Sequence, residues 1–243
     1  MDDGHVVWVA QAGAGGACGP GVRVFRRGSA TAVASPGLSG RDRIAVSGAA
    51  RDAVPLVRDV LAEVGPAYRP FGRVELIDAV VRGVPGTRAG GPPFLWMETA
   101  ERPGPAVGVE WLAEGADRDA VPLFERHFPE SYAQPGRPGV RRWAGVYGGD
   151  GRALLAVAAD AWSAVGCGFV AGVLTAPGAR GLGLGAAVSR FVGDALVRDF
   201  GRAALMVAAA DAAAVAAYER VGMRGVRSGP PRSVEYAYLS GGG

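Results

Sequence analysis

The sequence predicts a mixed α/β fold, and three observations carry that prediction. Strand-like apolar segments alternate with segments of helical period along most of the chain. Between Val173 and Val188 a strand, a proline and a glycine-spaced loop run directly into an amphipathic helix. Of the 243 residues, 49% are hydrophobic and 20% charged, which is core material for one large domain or two smaller ones and excludes a wholly disordered chain.

The elements follow in order. Residues 1–21 are Gly- and Ala-rich around one apolar stretch, Val6 to Ala10, and suggest no regular structure. Strands are expected at Val22–Phe25, Thr31–Ala34 and Arg43–Ser47, with Pro36-Gly37 as a turn. Ala50–Val64 has Val54, Val57, Leu61 and Val64 three or four apart and ends at Gly65-Pro66, which predicts a helix. A second helix covers about Val74–Val81, and Phe94–Glu98 reads as a strand. Glu101-Arg-Pro-Gly-Pro105 is the best linker in the chain and divides it into residues 1–104 and 105–243. Beyond it, a strand is expected at Val107–Leu112, a helix at Ala116–His127 and a turn at Tyr132–Gly139. Strands follow at Arg141–Tyr147, Ala153–Ala159 and Gly166–Thr175, then a helix at Gly183–Phe200. A strand at Ala203–Ala209, a helix at Ala212–Val221 and a last strand at Val234–Leu239 complete the pattern. One hexapeptide, Arg51-Asp-Ala-Val-Pro-Leu56, recurs as Arg118–Leu123, each copy ahead of a Tyr-x-x-x-Gly turn (Tyr68–Gly72, Tyr132–Gly136). Duplication of the chain and chance repetition within a biased composition both account for it.

Charge excludes several functions. All 26 basic residues are arginine, and the net charge is +3. The balance is even, 12 arginines against 10 acids in residues 1–104 and 14 against 13 in 105–243, so no basic patch argues for nucleic acid. Cys18 and Cys167 are far apart without metal-ligand spacing, which argues against a disulfide scaffold or structural zinc and suits a reducing cytoplasm. The acidic start is unlike a secretory signal, and no apolar run reaches the ~18 residues of a membrane span.

Chemistry concentrates in Val173–Val188. Glycines at 181, 183 and 185 let the backbone turn its N–H groups toward one point, at a helix N-terminus where such groups are unpaired and the macrodipole favours an anion. Arg180 adds a guanidinium, so the expected ligand is a phosphate or pyrophosphate. A P-loop requires a lysine, and there is none. A dinucleotide fingerprint could borrow Gly181, Gly183 and Ala186 with Asp211, but Ala176–Arg180 separate those glycines from the strand they should follow directly.

Arg180-x-x-Gly183-x-Gly185 resembles the pyrophosphate loop of the GNAT superfamily of N-acetyltransferases, Arg/Gln-x-x-Gly-x-Gly/Ala. The preceding Gly-Val-Leu-Thr-x-Pro is similar to that family's fourth strand, and Asp211…Tyr218-Glu-Arg-Val-Gly222-Met223 to its Asn…Tyr-x-x-x-Gly-Phe segment. The resemblance covers roughly residues 105–243 and implies a mostly antiparallel sheet flanked by helices, with central strands splayed like a V. The layout is similar to GNAT proteins with a degenerate N-terminal half. It also implies acetyl-CoA as co-substrate, with pantetheine along Val173 and Thr175. Pyrophosphate would lie on the amides of Gly181, Leu182, Gly183, Leu184, Gly185 and Ala186. The Leu174 N–H would stabilise the oxyanion and Tyr218 would protonate the leaving thiolate, in direct attack by an amine within a ternary complex.

Each assignment has a plainer competitor. The glycine loop could merely start a helix, Tyr218 could merely pack with Val215 and Val221, and Asp211 is a favourable N-cap whose carboxylate lacks the donor that the family's Asn offers. The fourth strand carries no carboxylate, so the general base stays open among His127, Glu125, Glu130, Glu235 and a water chain. Cys167 reads as a small buried residue, Trp111, Trp143 and Trp162 as core or pocket wall, and Arg141-Arg142 as a solvated strand edge. The resemblance implies a small-molecule or protein amine as the acceptor. A silent acyl-CoA-binding module is the alternative function. The N-terminal half could close over the acceptor, form a homodimer interface or brace the fold.

Overall fold

A computed structural model of the chain describes residues 3–149, 153–225 and 235–241. In order, its elements are α1 (Gly4–Ala10), β1 (Arg23–Arg27), β2 (Ala30–Ser35), β3 (Arg43–Ser47), α2 (Ala50–Val64), β4 (Arg69–Arg73) and α3 (Val74–Gly83). Next come β5 (Thr87–Ala89), β6 (Phe94–Thr99), β7 (Glu110–Trp111), α4 (Val121–His127), β8 (Val140–Tyr147), β9 (Leu154–Ala161) and β10 (Gly168–Thr175). α5 (Leu184–Phe200), β11 (Ala203–Ala208), α6 (Ala212–Arg220), β12 (Arg224–Gly225) and β13 (Glu235–Gly241) finish the chain.

The strands form one sheet in the order β1-β2-β3-β4-β13-β6-β11-β10-β9-β8-β7, with β12 beside β6 and β5 beside β13. Pairing is antiparallel except at β3/β4 and β10/β11, each joined by a crossover helix, α2 or α5. From β1 to β8 the order reads as a palindrome: β1-β2-β3-β4 mirrors β8-β9-β10-β11, and β6 mirrors β13. The last strand of each half is therefore exchanged. β6 lies along β11 over six residue pairs, from Ala203↔Thr99 to Ala208↔Phe94, while β13 lies along β4 at Tyr236↔Arg73 to Tyr238↔Phe71.

The duplication is in topology, and the repeated hexapeptide does not mark it. Arg51–Leu56 sits in α2, after β3, whereas Arg118–Leu123 runs from a 3-10 turn into α4, before β8. Two of the Tyr-x-x-x-Gly segments also differ, since Tyr68–Gly72 overlaps β4, a strand the periodicity does not reveal.

Helices cover both faces. On one, α2 buries Ala53, Leu56, Val57 and Val60, a stripe one residue ahead of the expected one; Val54, Leu61 and Val64 flank it. α5 buries Val188, Val192, Ala195 and Leu196 as expected, with Phe191 packed at 5.2 Å on Trp111. On the other, α1 contradicts the expectation of an irregular N-terminus. Seven residues are too few to show a helical period, yet His5 and Trp8 are 2% and 1% exposed, and Trp8 stacks at 4.4 Å on Phe169 of β10. The expected helix at Ala116–His127 is split into the 3-10 turn Ala116–Ala120 and α4, which restarts with Pro122 in its first turn. The expected linker is a strap tied down on α5: Arg102 Nη2 meets Asp194 Oδ2 at 2.6 Å, and the Gly104 N–H donates to Asp194 Oδ1 at 3.0 Å.

Candidate functional site

β10 and β11 pair only at Gly168↔Ala203 and Phe169↔Ala204 and then part, which is the V expected of the central strands. From Val170 to Thr175 the edge of β10 that faces β11 has no ladder partner, while its other edge stays paired to β9. That second ladder slips by one residue between Ala171 and Leu174, a β-bulge that lifts Val173 out of the pairing with β9. Gly172 makes the bulge with φ +59°, and a Cβ there would come within 2.6 Å of the Trp143 ring. A glycine inside a strand was the available signal for this feature.

The chain leaves β10 at Thr175 and turns through Pro177–Ala179 to the start of α5. Gly181 and Gly183 hold φ of +81° and +78°, with open space where side chains would be. The main-chain N–H groups of residues 181–186 make no hydrogen bond among the described residues. The first donation back to this stretch is Ala187 N–H to the Gly183 carbonyl, at 3.0 Å. Arg180, Gly181, Leu182 and Gly183 are exposed, and Leu184, Gly185 and Ala186 half-buried. Six unengaged amides, a helix N-terminus and the exposed Arg180, which has no side-chain partner among the described residues, thus follow directly on the end of β10. In the first half the corresponding connection, between β3 and α2, is only Gly48-Ala49, and the Val46 carbonyl there is met by His5 at 3.2 Å.

Tyr218, on α6, is buried in the core cluster that also holds Val170, Val207 and Val221. It is 9% exposed, its hydroxyl has no hydrogen bond among the described residues, and burial, reinforced by the Asp211 charge, raises its pKa far above that of a free phenol. Leu174 turns its side chain to the opposite face with Trp143 and Phe124. Asp211 caps α6, its Oδ1 accepting from the Ala214 N–H at 3.0 Å. Glu125, His127 and Glu130 are all exposed, and the side chain of Glu235 lies outside what is described, as does Val234. Cys167 is fully buried, and desolvation pushes its thiol up to about 12.

Arg142 departs from the expected solvated edge. It pairs with the fully buried Asp160 (3.2 Å) and with Asp199 of α5 (3.0 Å), and lies 3.9 Å over Trp111. Ser163 gives Asp160 a second bond at 2.5 Å. This cluster fixes α5 against β8 and β9, and nothing in the local sequence marks it, because its members are far apart along the chain. Trp143 is core, at 3% exposed, while Trp111 and Trp162 are half-buried. No described helix is long and apolar enough to cross a membrane, and no group of acids, histidines and cysteines among the described residues could hold a metal.

No family profile matches the sequence, and no curated protein does. Solved structures do. A GNAT-family acetyltransferase from Novosphingobium aromaticivorans superposes with a TM-score of 0.56 at 24% identity, over 90% of this chain and 91% of that one. A GCN5-related N-acetyltransferase from Kribbella flavida gives 0.56 at 18% identity, over 91% and 90%. One from Sphaerobacter thermophilus gives 0.55 at 16%, over 88% and 76%. At such identities the likeness is one of fold: this chain has the fold of the GNAT acetyltransferases.

Proposed function

We propose, with that fold as premise, that the chain is an acetyl-CoA-dependent N-acetyltransferase whose transferase unit is residues 105–243, preceded by a unit of residues 1–104. The run of unengaged amides at 181–186, next to the open edge of β10, carries this reading. Pyrophosphate takes those amides and Arg180. Pantetheine adds along β10 as a further strand, pairing with the backbone of Val173 and Thr175, and the thioester comes to rest at the bulge.

In the reaction an uncharged amine nitrogen attacks the thioester carbonyl carbon, and a main-chain N–H that the bulge frees from β9 receives the developing oxyanion, in place of the Leu174 N–H, which stays in register with Val157 of β9. The C–S bond breaks, Tyr218 gives its proton to the departing thiolate, and the new amide nitrogen gives its proton to water. Burial keeps the Tyr218 phenol protonated but also makes it a weaker acid than the thiol it forms, so its proton moves only as the C–S bond breaks, and solvent returns a proton to the phenolate before the next turnover. No carboxylate lies on β10 to collect the amine's proton, so water fills that role. The reaction asks only for a soluble enzyme, and the cytoplasm, where acetyl-CoA is made and used, is the compartment assigned.

Calorimetric titration tests the reading. Wild type binds acetyl-CoA at one site per chain, and Arg180→Glu combined with Gly183→Glu abolishes binding. Equal affinity in the double variant would sink the loop assignment. Binding without thiol release on a broad amine panel would favour a silent acyl-CoA-binding module instead.

A further inference from the structure

The proposed function leaves the acceptor undefined, and the face of β10 opposite α5 carries a second charged feature. The turn after α4 is pinned by Ser131 Oγ, which donates to the Ala133 carbonyl at 2.8 Å. Ala133 lies against the bulge: its Cβ would be 3.2 Å from a Cβ at Gly172. Between them, Tyr132 is 47% exposed and holds its ring under two guanidinium groups from the first half, Arg41 at 4.8 Å and Arg43 at 5.9 Å. Arg43 is 3% exposed, with its Nε donating to the Leu38 carbonyl (3.0 Å) and to Ser39 Oγ (2.9 Å). It also lies 5.8 Å from the Trp8 ring, which stacks on Phe169 of β10. Two separate chains of contact thus lead from these arginines to the strand that would present the thioester.

Arg41 differs from most arginines of this chain. It is half-buried and makes no ion pair with an acid among the described residues, and its one partner is the face of Tyr132. The neighbouring Asp42 is engaged elsewhere, accepting from the Gly37 N–H at 2.8 Å. A guanidinium placed over an aromatic ring, with no acid paired to it among the described residues, keeps N–H groups available for a planar anion, and the buried Arg43 beside the same ring adds to the field.

We infer that the acceptor is an amine that also carries a carboxylate, and that Arg41 binds that carboxylate while its amine faces the bulge of β10. This rests on the acetyl-transfer reading and gives the first half a role, that of closing over the acceptor. The carboxylate contributes binding and orientation only; no bond to it forms or breaks.

The test uses the full chain with β-alanine, L-aspartate and L-glutamate, each beside its form with every carboxylate capped as an amide. Wild type favours the free acids by about 10- to 100-fold in kcat/KM, the range of one charge-assisted pair. Arg41→Ala brings the two series within about two-fold while acetyl-CoA affinity by titration is unchanged, and Arg41→Lys restores part of the preference. Equal use of acids and amides by wild type, or a preference that survives Arg41→Ala, overturns the inference. Should no amine turn over, direct titration still decides. Acids that bind wild type and not Arg41→Glu support the site, and acids that bind neither or both refute it. Loss of acetyl-CoA binding is a separate result and counts against the proposed function alone.

Discussion

Replacing Gly172 by alanine probes the bulge on which the candidate site depends. Alanine at φ +59° costs roughly 1 kcal/mol or slightly more for the left-handed backbone. Its Cβ would also stand 2.6 Å from Trp143 Cη2 and 2.9 Å from Cζ3, so the indole must move inside a packed cluster, an overpacking cost of about 1–3 kcal/mol. The sum, about 2–4 kcal/mol, should lower Tm by about 5–15 °C for a chain of this size. Differential scanning calorimetry gives the shift, and a cycle with Trp143→Phe identifies its cause. The Trp143 indole N–H is buried without a hydrogen bond among the described residues, so phenylalanine forfeits no such bond while shortening the ring that collides. The double variant should therefore recover at least about 1 kcal/mol relative to additivity. A Tm within about 2 °C of wild type for Gly172→Ala, or strictly additive variants, would show that the bulge does not have this geometry.

Other expectations concern separate parts of the molecule. Asp211→Ala should destabilise by about 1 kcal/mol in urea unfolding and Asp211→Asn by much less, since both carboxylate and amide oxygens can cap α6. Only Cys18 should react with a thiol reagent in the folded chain, with Cys167 appearing on denaturation. Because burial raises the Cys167 thiol to about 12, its contribution to stability is complete below the ordinary thiol range and declines as pH rises from about 8.5 toward 12. A pH series comparing wild type with Cys167→Ala should show the steeper decline in wild type, most clearly between about pH 8.5 and 10, below the range in which the buried Tyr218 phenol adds a decline of its own to both proteins. Deleting residues 1–104 should yield insoluble protein, because β11 loses β6; supplying residues 1–104 as a separate co-expressed chain should restore a soluble pair.

Local signals gave away most of the second half. The Arg180–Gly185 spacing and the long periods of α5 and α2 are statements about neighbours in sequence, and the structure bears out the elements they predict. What stayed hidden depends on partners far away. α1 has seven residues and is buried all round, so it shows neither a strand nor a helix period. β4, with a proline and a glycine among five residues, reads as a turn until β3 and β13 pair with it. Arg142 looks solvated because Asp160 and Asp199 lie elsewhere in the chain. The Tyr132–Arg41 contact joins the two halves, and neither residue type in isolation announces it.

The exchanged strands also set a timetable for the nascent chain. β4 emerges from the ribosome long before β13, the strand that will cover its edge, and at ordinary rates of synthesis that wait is on the order of ten seconds. Throughout it an unprotected hydrogen-bonding edge, backed by Phe71, is exposed to other growing chains on the same messenger. Protection of that edge during translation, alongside the finished protein's stability, therefore bears on how much of this protein a cell accumulates.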